Sequence, residues 1–184
     1  MNALIRSATY SDIQHLPEHV TGEILAGVLH TQPRPSSRHA GVETGLAGEL
    51  RNPFGIGRGG PGGWVILVEP ELHLGTQVMV PDLAGWKRTR LAEIPDGPID
   101  VAPDWVCEIL SPATAIKDRK IKLPLYGSLG ILHAWIVDPA AKTIEILRHD
   151  GAHWILLATF ADQDVMRAEP FDAVELELTH LWAW

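Results

Sequence analysis

The feature that most constrains the fold is a series of short apolar runs, each of strand length and bounded by turn-forming residues. The runs predict strands at residues 23–30, 64–69, 72–74, 77–86, 104–110 and 131–138, then a hairpin of residues 142–148 and 154–159. Helical segments are expected at 38–51 and 116–126, with an irregular lead-in or short helix at 11–16 and a short apolar segment at 174–184. This order is not a regular βαβ array, so it predicts an α/β or α+β fold with a mixed sheet flanked by helices.

Length and composition indicate one globular domain. The chain has 184 residues, 46% of them hydrophobic, which suffices for one substantial core. We expect a single domain over residues 1–184, with its core at about 23–160. The single cysteine, Cys107, excludes an internal disulfide. No run has the length of a membrane span and residues 1–7 do not resemble a signal peptide, so a cytoplasmic protein is expected.

The charge balance bears on the kind of partner. There are 23 acidic and 15 basic residues, giving a formal net charge of -8. An acidic total argues against a surface built for non-specific binding of nucleic acid. It remains compatible with one basic cleft, or with metal ions that offset a cluster of carboxylates.

The loop at residues 52–63 contains the pattern G-x-G-x-x-G at Gly55, Gly57 and Gly60. In dinucleotide-binding proteins this pattern follows a strand and opens a helix. Here a strand-like run follows it, and no Gly-Lys-Ser/Thr sequence is present for a phosphate loop. The sequence therefore predicts a surface loop and no nucleotide cofactor.

Glu108 is a carboxylate within the apolar run 104–110 (DWVCEIL). A buried carboxylate must be paired, hydrogen-bonded, bound to a metal or kept protonated. The run contains no lysine or arginine, so compensation has to come from another part of the fold. This makes Glu108 the first candidate for a functional residue.

Asp82 and Asp104 each follow a proline that opens or interrupts a strand-like run. Asp104 would share a face with Glu108, but four residues along a strand separate their Cα atoms by roughly 13 Å. Asp82 on an adjacent strand is the better partner, because neighbouring strands lie about 4.8 Å apart. Two carboxylates with water and substrate phosphate meet the requirements of Mg²⁺, so the pair predicts a magnesium site.

The helix after the Glu108 strand carries Asp118, Lys122 and Tyr126 at intervals of four, which places them on one face. Taken alone, the three would be read as a surface ion pair and a packed tyrosine. Their position directly after that strand allows Lys122 to reach the same site.

The motifs resemble the Uma-two family of restriction endonuclease-like proteins, which is similar in fold to the PD-(D/E)XK nucleases. The resemblance covers most of the chain beyond about Glu23. It is carried by residues 69–75 (EPELHLG), 80–86 (VPDLAGW), 103–114 (PDWVCEILSPAT), Asp118, Lys122, Tyr126, Gly130, 135–139 (WIVDP) and 169–176 (EPFDAVEL).

The resemblance implies a metal-dependent endonuclease in which Asp82 and Glu108 hold Mg²⁺, or Mn²⁺, and catalyse phosphodiester hydrolysis. The lysine of (D/E)-x-K would fall at Leu110, which cannot replace it. Lys122 is the expected substitute, orienting water or stabilising the phosphorane-like charge, with Lys117 and Lys120 as competitors. The implied substrate is DNA, and a homodimer is expected because one small domain cuts one strand.

Five further acids are candidates for an additional carboxylate of the site, and the sequence does not rank them: Glu71, Glu23, Glu43, Asp104 and Asp118. Two alternatives also stay open. The chain can be a catalytically inactive nuclease-fold module for binding or dimerisation, which Leu110 and the acidic charge favour. Glu108 can also have a purely structural role, hydrogen-bonded to the backbone or to Lys122.

Overall fold

A computed structural model describes residues 6–183. The predictions that involve residues 1–5 and 184 lie outside the described part of the chain. The helices are α1 (Tyr10–Gln14), α2 (Ser37–Leu50), α3 (Ala115–Lys117) and α4 (Leu123–Ser128), with π-helical turns at Arg51–Ile56 and Asp118–Lys122 and a 3₁₀ turn at Leu178–Trp182. The strands are β1 (Val20–Leu25), β2 (Val28–Pro33), β3 (Trp64–Val68), β4 (Leu72–Leu74), β5 (Gln77–Met79), β6 (Leu83–Lys87), β7 (Trp105–Ile109), β8 (His133–Asp138), β9 (Thr143–His149), β10 (Trp154–Ala161), β11 (Val165–Met166) and β12 (Leu176–Glu177).

The centre of the fold is a six-stranded sheet with the order β10-β9-β8-β7-β6-β3. Strands β7 and β8 run parallel, and the other neighbours are antiparallel, so the sheet is mixed. A second sheet has the order β2-β1-β5-β4, and β11 pairs with β12. The predicted fold class is confirmed: an α+β fold with a mixed sheet, extra N-terminal strands and the C-terminal hairpin β9–β10.

Both faces of the central sheet are covered, which explains why every residue of β7 is buried. Trp105, Cys107 and Ile109 point to one face, where they join a core that includes α2. Val106 points to the other face, which the helical segment 115–128 covers. Because side chains alternate along a strand, Glu108 faces that second side. The sheet therefore places a carboxylate beneath the helices that follow it.

Two predicted strands are each divided in the structure. Residues 23–30 were expected to form one strand, but Ala26 and Gly27 have positive φ angles of 51° and 80° and turn the chain between β1 and β2. Residues 77–86 were also expected to be continuous, but β5 and β6 belong to different sheets. The break falls at residues 80–82, where Pro81 cannot donate to a ladder. Asp82 therefore lies in a connection between two sheets.

Helix α2 begins at Ser37 and is capped by Ser36, whose Oγ accepts a hydrogen bond from the His39 backbone N–H at 3.3 Å. The helix thus begins one residue before the segment 38–51 expected from the sequence. Val42, Leu46 and Leu50, spaced four apart on one face of the helix, are all buried. Within residues 6–183, no helix is both long enough and apolar enough to cross a membrane.

Candidate active site

Asp82 and Glu108 are brought together by the pairing of β6 with β7. The strands are antiparallel, with Leu83 opposite Cys107. Extending this register by one residue places Asp82 opposite Glu108, as expected from the sequence. Both side chains line one cavity of about 300 Å³, here called the site cavity. The rest of its lining comes from the end of β2, the segment before α2, the first turn of α2, and the loop and helices after β7.

Asp82 is held by the backbone of β7 and by α2. The Ile109 N–H donates to Asp82 Oδ2 at 2.5 Å, and His39 Nε2 lies 3.3 Å from Oδ1. Burial alone would lower the pKa of His39, but the adjacent Asp82 carboxylate outweighs this and raises it. His39 was not predicted as a site residue. The available signal was its position on the same helical face as Glu43, four residues later.

Glu108 is 3% exposed and has two close partners. Lys122 Nζ lies 2.7 Å from Oε1, and the Tyr126 hydroxyl donates to the same oxygen. Burial raises the pKa of Glu108 well above its usual value, and the charges of Asp118 and Asp82 add to this, while Lys122 opposes it. A further positive charge in the cavity would favour the ionised carboxylate.

Lys122 is enclosed by oxygen atoms. Its Nζ donates to the Val80 carbonyl at 2.9 Å and lies 2.7 Å from Glu108 Oε1 and 3.1 Å from Glu23 Oε1. Burial would lower its pKa, but the charges of Glu108 and Glu23 outweigh burial and raise it. An ammonium has three N–H groups, so these three oxygens provide one acceptor for each of them. A substrate oxygen would have to displace one of them to reach Lys122.

Glu23 connects the second sheet to the site. It is 1% exposed, and it accepts a hydrogen bond from the Val80 N–H at 2.9 Å and one from Lys117 Nζ at 2.5 Å. Burial opposes its ionisation, but Lys122 and Lys117 together outweigh this and lower the pKa of Glu23. Glu23 does not line the site cavity; it pairs with the lysine that reaches Glu108.

The helical segment 115–128 presents Asp118, Lys122 and Tyr126 to the site, as the spacing of four suggested. All three are buried, which rules out the surface ion pair considered for the triplet alone. Burial raises the pKa of Asp118, although Lys122 opposes this. Leu110, at the place of the expected lysine, is 9% exposed and belongs to the hydrophobic core.

The remaining candidate acids lie elsewhere. Asp104, at the other end of β7, accepts a hydrogen bond from the Lys87 N–H at 2.8 Å and pairs with Arg90 at 2.9 Å. Glu71 precedes β4, which belongs to the second sheet. Neither residue lines the site cavity.

Glu43 lies on α2, 6% exposed, and its Oε1 is buried with no hydrogen-bond partner among the described residues. Burial raises its pKa to about 7, and the charges of Asp82 and Glu69 contribute, while His39 opposes the shift. It does not line the site cavity but is electrostatically coupled to Asp82.

The donor set is compatible with Mg²⁺ bound through few protein ligands. Within residues 6–183, no group of three or more His, Cys, Asp and Glu side chains has the arrangement of a complete metal site. Mg²⁺ often uses one or two carboxylates, with water and substrate phosphate as its other ligands. Asp82 and Glu108 provide those two carboxylates in one cavity.

Comparisons with known proteins show which family and which fold the chain resembles. The Uma2 family model, described as "Putative restriction endonuclease", matches residues 8–179. A crystal structure of a "putative nuclease belonging to DUF820" from Anabaena variabilis is similar, with a TM-score of 0.73 and 22% sequence identity. That similarity covers 96% of this chain and 98% of the other, and it shows the shared fold. No curated protein matches the chain.

Proposed function

Because the chain belongs to the Uma2 family and has a nuclease-like function, we propose that it is an endonuclease that hydrolyses phosphodiester bonds in DNA with Mg²⁺. One observation carries the proposal: Asp82, directly before β6, and Glu108, on the adjacent strand β7, line the same cavity. We also propose that residues 1–184 form one domain with its core at about 23–160.

Asp82 and Glu108 would hold the cation, with Mn²⁺ as a substitute for Mg²⁺. When bound, such an ion polarises a phosphoryl oxygen and lowers the pKa of bound water. Groups of the chain itself orient the two carboxylates. The Ile109 N–H fixes one oxygen of Asp82, and the Tyr126 hydroxyl fixes one oxygen of Glu108. Both carboxylates are thereby oriented before substrate binds.

Lys122 would serve as a positioning residue rather than as a direct contact to water. Its ammonium is 1% exposed and lies among Glu23, Glu108 and the Val80 carbonyl. From there it offsets part of the cost of ionising Glu108, since an opposite charge within about 4–6 Å favours the charged form. This differs from the sequence expectation, in which Lys122 acted on the attacking water or on the phosphorane-like charge.

The test is cleavage of mixed DNA and RNA substrates by the parent and by Asp82→Asn and Glu108→Gln. Both substitutions are close in shape and remove one negative charge. Glu71→Gln is the matched control, because Glu71 is an acid outside the site cavity. We expect Mg²⁺-dependent cleavage of DNA by the parent and the control, with a loss of at least about 10²-fold in each site variant. Cleavage that survives both site substitutions refutes the mechanism.

A second candidate is an inactive nuclease-fold module that binds or dimerises. It is favoured by Leu110 at the expected lysine position and by the enclosure of Lys122. It predicts no cleavage by the folded parent with either Mg²⁺ or Mn²⁺. We also propose a homodimer, which size-exclusion chromatography with light scattering tests directly.

A further inference from the structure

We propose that the site cavity contains a phosphate-binding subsite formed by Arg34 and the first turn of α2, which holds a backbone phosphate of the nucleic acid. This inference rests on the proposed function and deepens it. It assigns a role to a segment, residues 34–36, that none of the sequence motifs includes. Arg34 and Ser36 both line the cavity that Asp82 and Glu108 share.

The first argument concerns which cation is available to substrate. Among the described residues that line the cavity, the basic side chains are Arg34, His39 and Lys122. Lys122 already has three oxygens within 3.1 Å, and His39 Nε2 faces Asp82 at 3.3 Å. Arg34 is exposed, and its side chain makes no hydrogen bond or ion pair with residues 6–183. A phosphate entering this acidic cavity therefore meets one uncommitted guanidinium.

The second argument concerns the adjoining helix. α2 has 14 residues and its cap, Ser36, lies on the cavity wall. In the first turn of α2 the His39 N–H is already bound to Ser36 Oγ, but the positive end of the helix dipole still favours an anion there. His39 in this turn also lines the cavity, is 8% exposed, and has an Nδ1 that is buried without a hydrogen-bond partner among the described residues. An unpartnered buried polar atom at this place points to a ligand.

The third argument is chemical fit. A guanidinium is planar and can donate two parallel hydrogen bonds to phosphate, which favours arginine in this role. The cavity lining also includes Ser111 and Thr114, whose hydroxyls lie 3.0 Å from each other. Asp82 and Glu108 would repel an anion, so they do not form this subsite. The cavity thus has an acidic part suited to a cation and a basic edge suited to a phosphate.

The test uses Arg34→Ala, Arg34→Lys and the control Arg167→Ala. Arg167 is an exposed arginine that pairs with Glu175 and lies outside the cavity lining. Binding of a fluorescein-labelled DNA duplex is measured by anisotropy in EDTA at several NaCl concentrations. We expect Arg34→Ala to weaken binding about tenfold and to reduce the salt slope by about 0.9, as for loss of one phosphate contact. Arg34→Lys should restore the slope but only part of the affinity.

A second measurement separates this inference from the proposed function. Thermal melting is recorded with inorganic phosphate and with chloride at equal ionic strength. We expect phosphate to stabilise the parent and Arg167→Ala more than Arg34→Ala. If the parent binds no DNA but shows this difference, the subsite stands and the nucleic-acid function fails. The subsite is refuted if Arg34→Ala and the parent show the same stabilisation by phosphate and the same affinity for DNA. It is also refuted if the parent is neither stabilised by phosphate nor bound to DNA.

Discussion

Replacing Glu43 by glutamine should stabilise the protein at alkaline pH. The Glu43 carboxyl is buried, one of its oxygens has no partner among the described residues, and its pKa is raised from 4.5 to about 7. A raised pKa means that the folded state binds this proton more tightly than the unfolded state does. The contribution to stability is therefore complete below pH 4.5 and is lost as the pH rises through about 7.

The magnitude follows from the interval between 4.5 and about 7, at about 1.36 kcal/mol for each pKa unit. Ionising Glu43 thus costs the folded state about 3 kcal/mol above pH 8. Glutamine has nearly the same shape and carries no charge, but its buried amide keeps part of the desolvation cost. We expect Glu43→Gln to gain about 2 kcal/mol over the parent at pH 8.5, and close to nothing at pH 4.5.

The assay is urea denaturation in EDTA at pH values from 4.5 to 8.5, comparing the free energies of unfolding of variant and parent. Other titrating groups largely cancel in that difference. Glu49→Gln is the matched control, because Glu49 is an exposed glutamate on the same helix. The free energy of unfolding of Glu49→Gln should stay within about 0.5 kcal/mol of that of the parent. The reasoning is refuted if the difference in free energy of unfolding between Glu43→Gln and the parent does not change with pH. It is also refuted if Glu43→Gln is less stable than the parent at pH 8.5.

Three further predictions concern the carboxylates around Lys122. Tyr126→Phe removes the hydroxyl that donates to Glu108, so it should lower the free energy of unfolding by about 1–3 kcal/mol; a change below about 0.5 kcal/mol in urea denaturation contradicts this. Glu23→Gln leaves the buried Lys122 with one ion pair fewer and should lower the free energy of unfolding by about 3–5 kcal/mol, whereas the exposed control Glu18→Gln should change it by no more than about 0.5 kcal/mol. Equal melting curves for the two variants would contradict the ion pair of Glu23 with Lys122. Mg²⁺ should raise the melting temperature more at pH 8.5 than at pH 6, because the raised pKa of Glu108 makes the proton compete with the cation. An equal or larger rise at pH 6, or the same rise in Glu108→Gln as in the parent, argues against a metal site at this carboxylate.

The strands of the central sheet were predictable because they are buried on both faces. Residues 104–110 and 131–138 were expected as strands and contain β7 and β8. The β1–β2 turn gave no such signal, because a turn with positive φ at both central positions usually carries Asn-Gly or Asp-Gly, not Ala26-Gly27. The missed break at residues 80–82 has another cause: local sequence does not say to which sheet a strand belongs.

The site was predictable to the extent that it follows from strand geometry. Placing Asp82 opposite Glu108 required only the spacing and alternation of adjacent strands. Lys122 followed from helical periodicity. Glu23 could not be ranked, because its contact with Lys122 joins distant parts of the chain. His39 was missed for the same reason, since its meaning depends on where α2 starts relative to Asp82.

The three-residue connection between β5 and β6 has a consequence for how chains of this kind can vary in length. Val80 contacts Glu23 through its N–H and Lys122 through its carbonyl, and Asp82 enters the site cavity two residues later. One inserted residue here would shift Asp82 relative to Val80, so the contacts of Val80 and the position of Asp82 opposite Glu108 could not both be kept. The turn at Gly75 between β4 and β5 lies outside the cavity lining, so it can lengthen freely. Relatives should therefore differ in length at that turn while keeping the number of residues between β5 and β6.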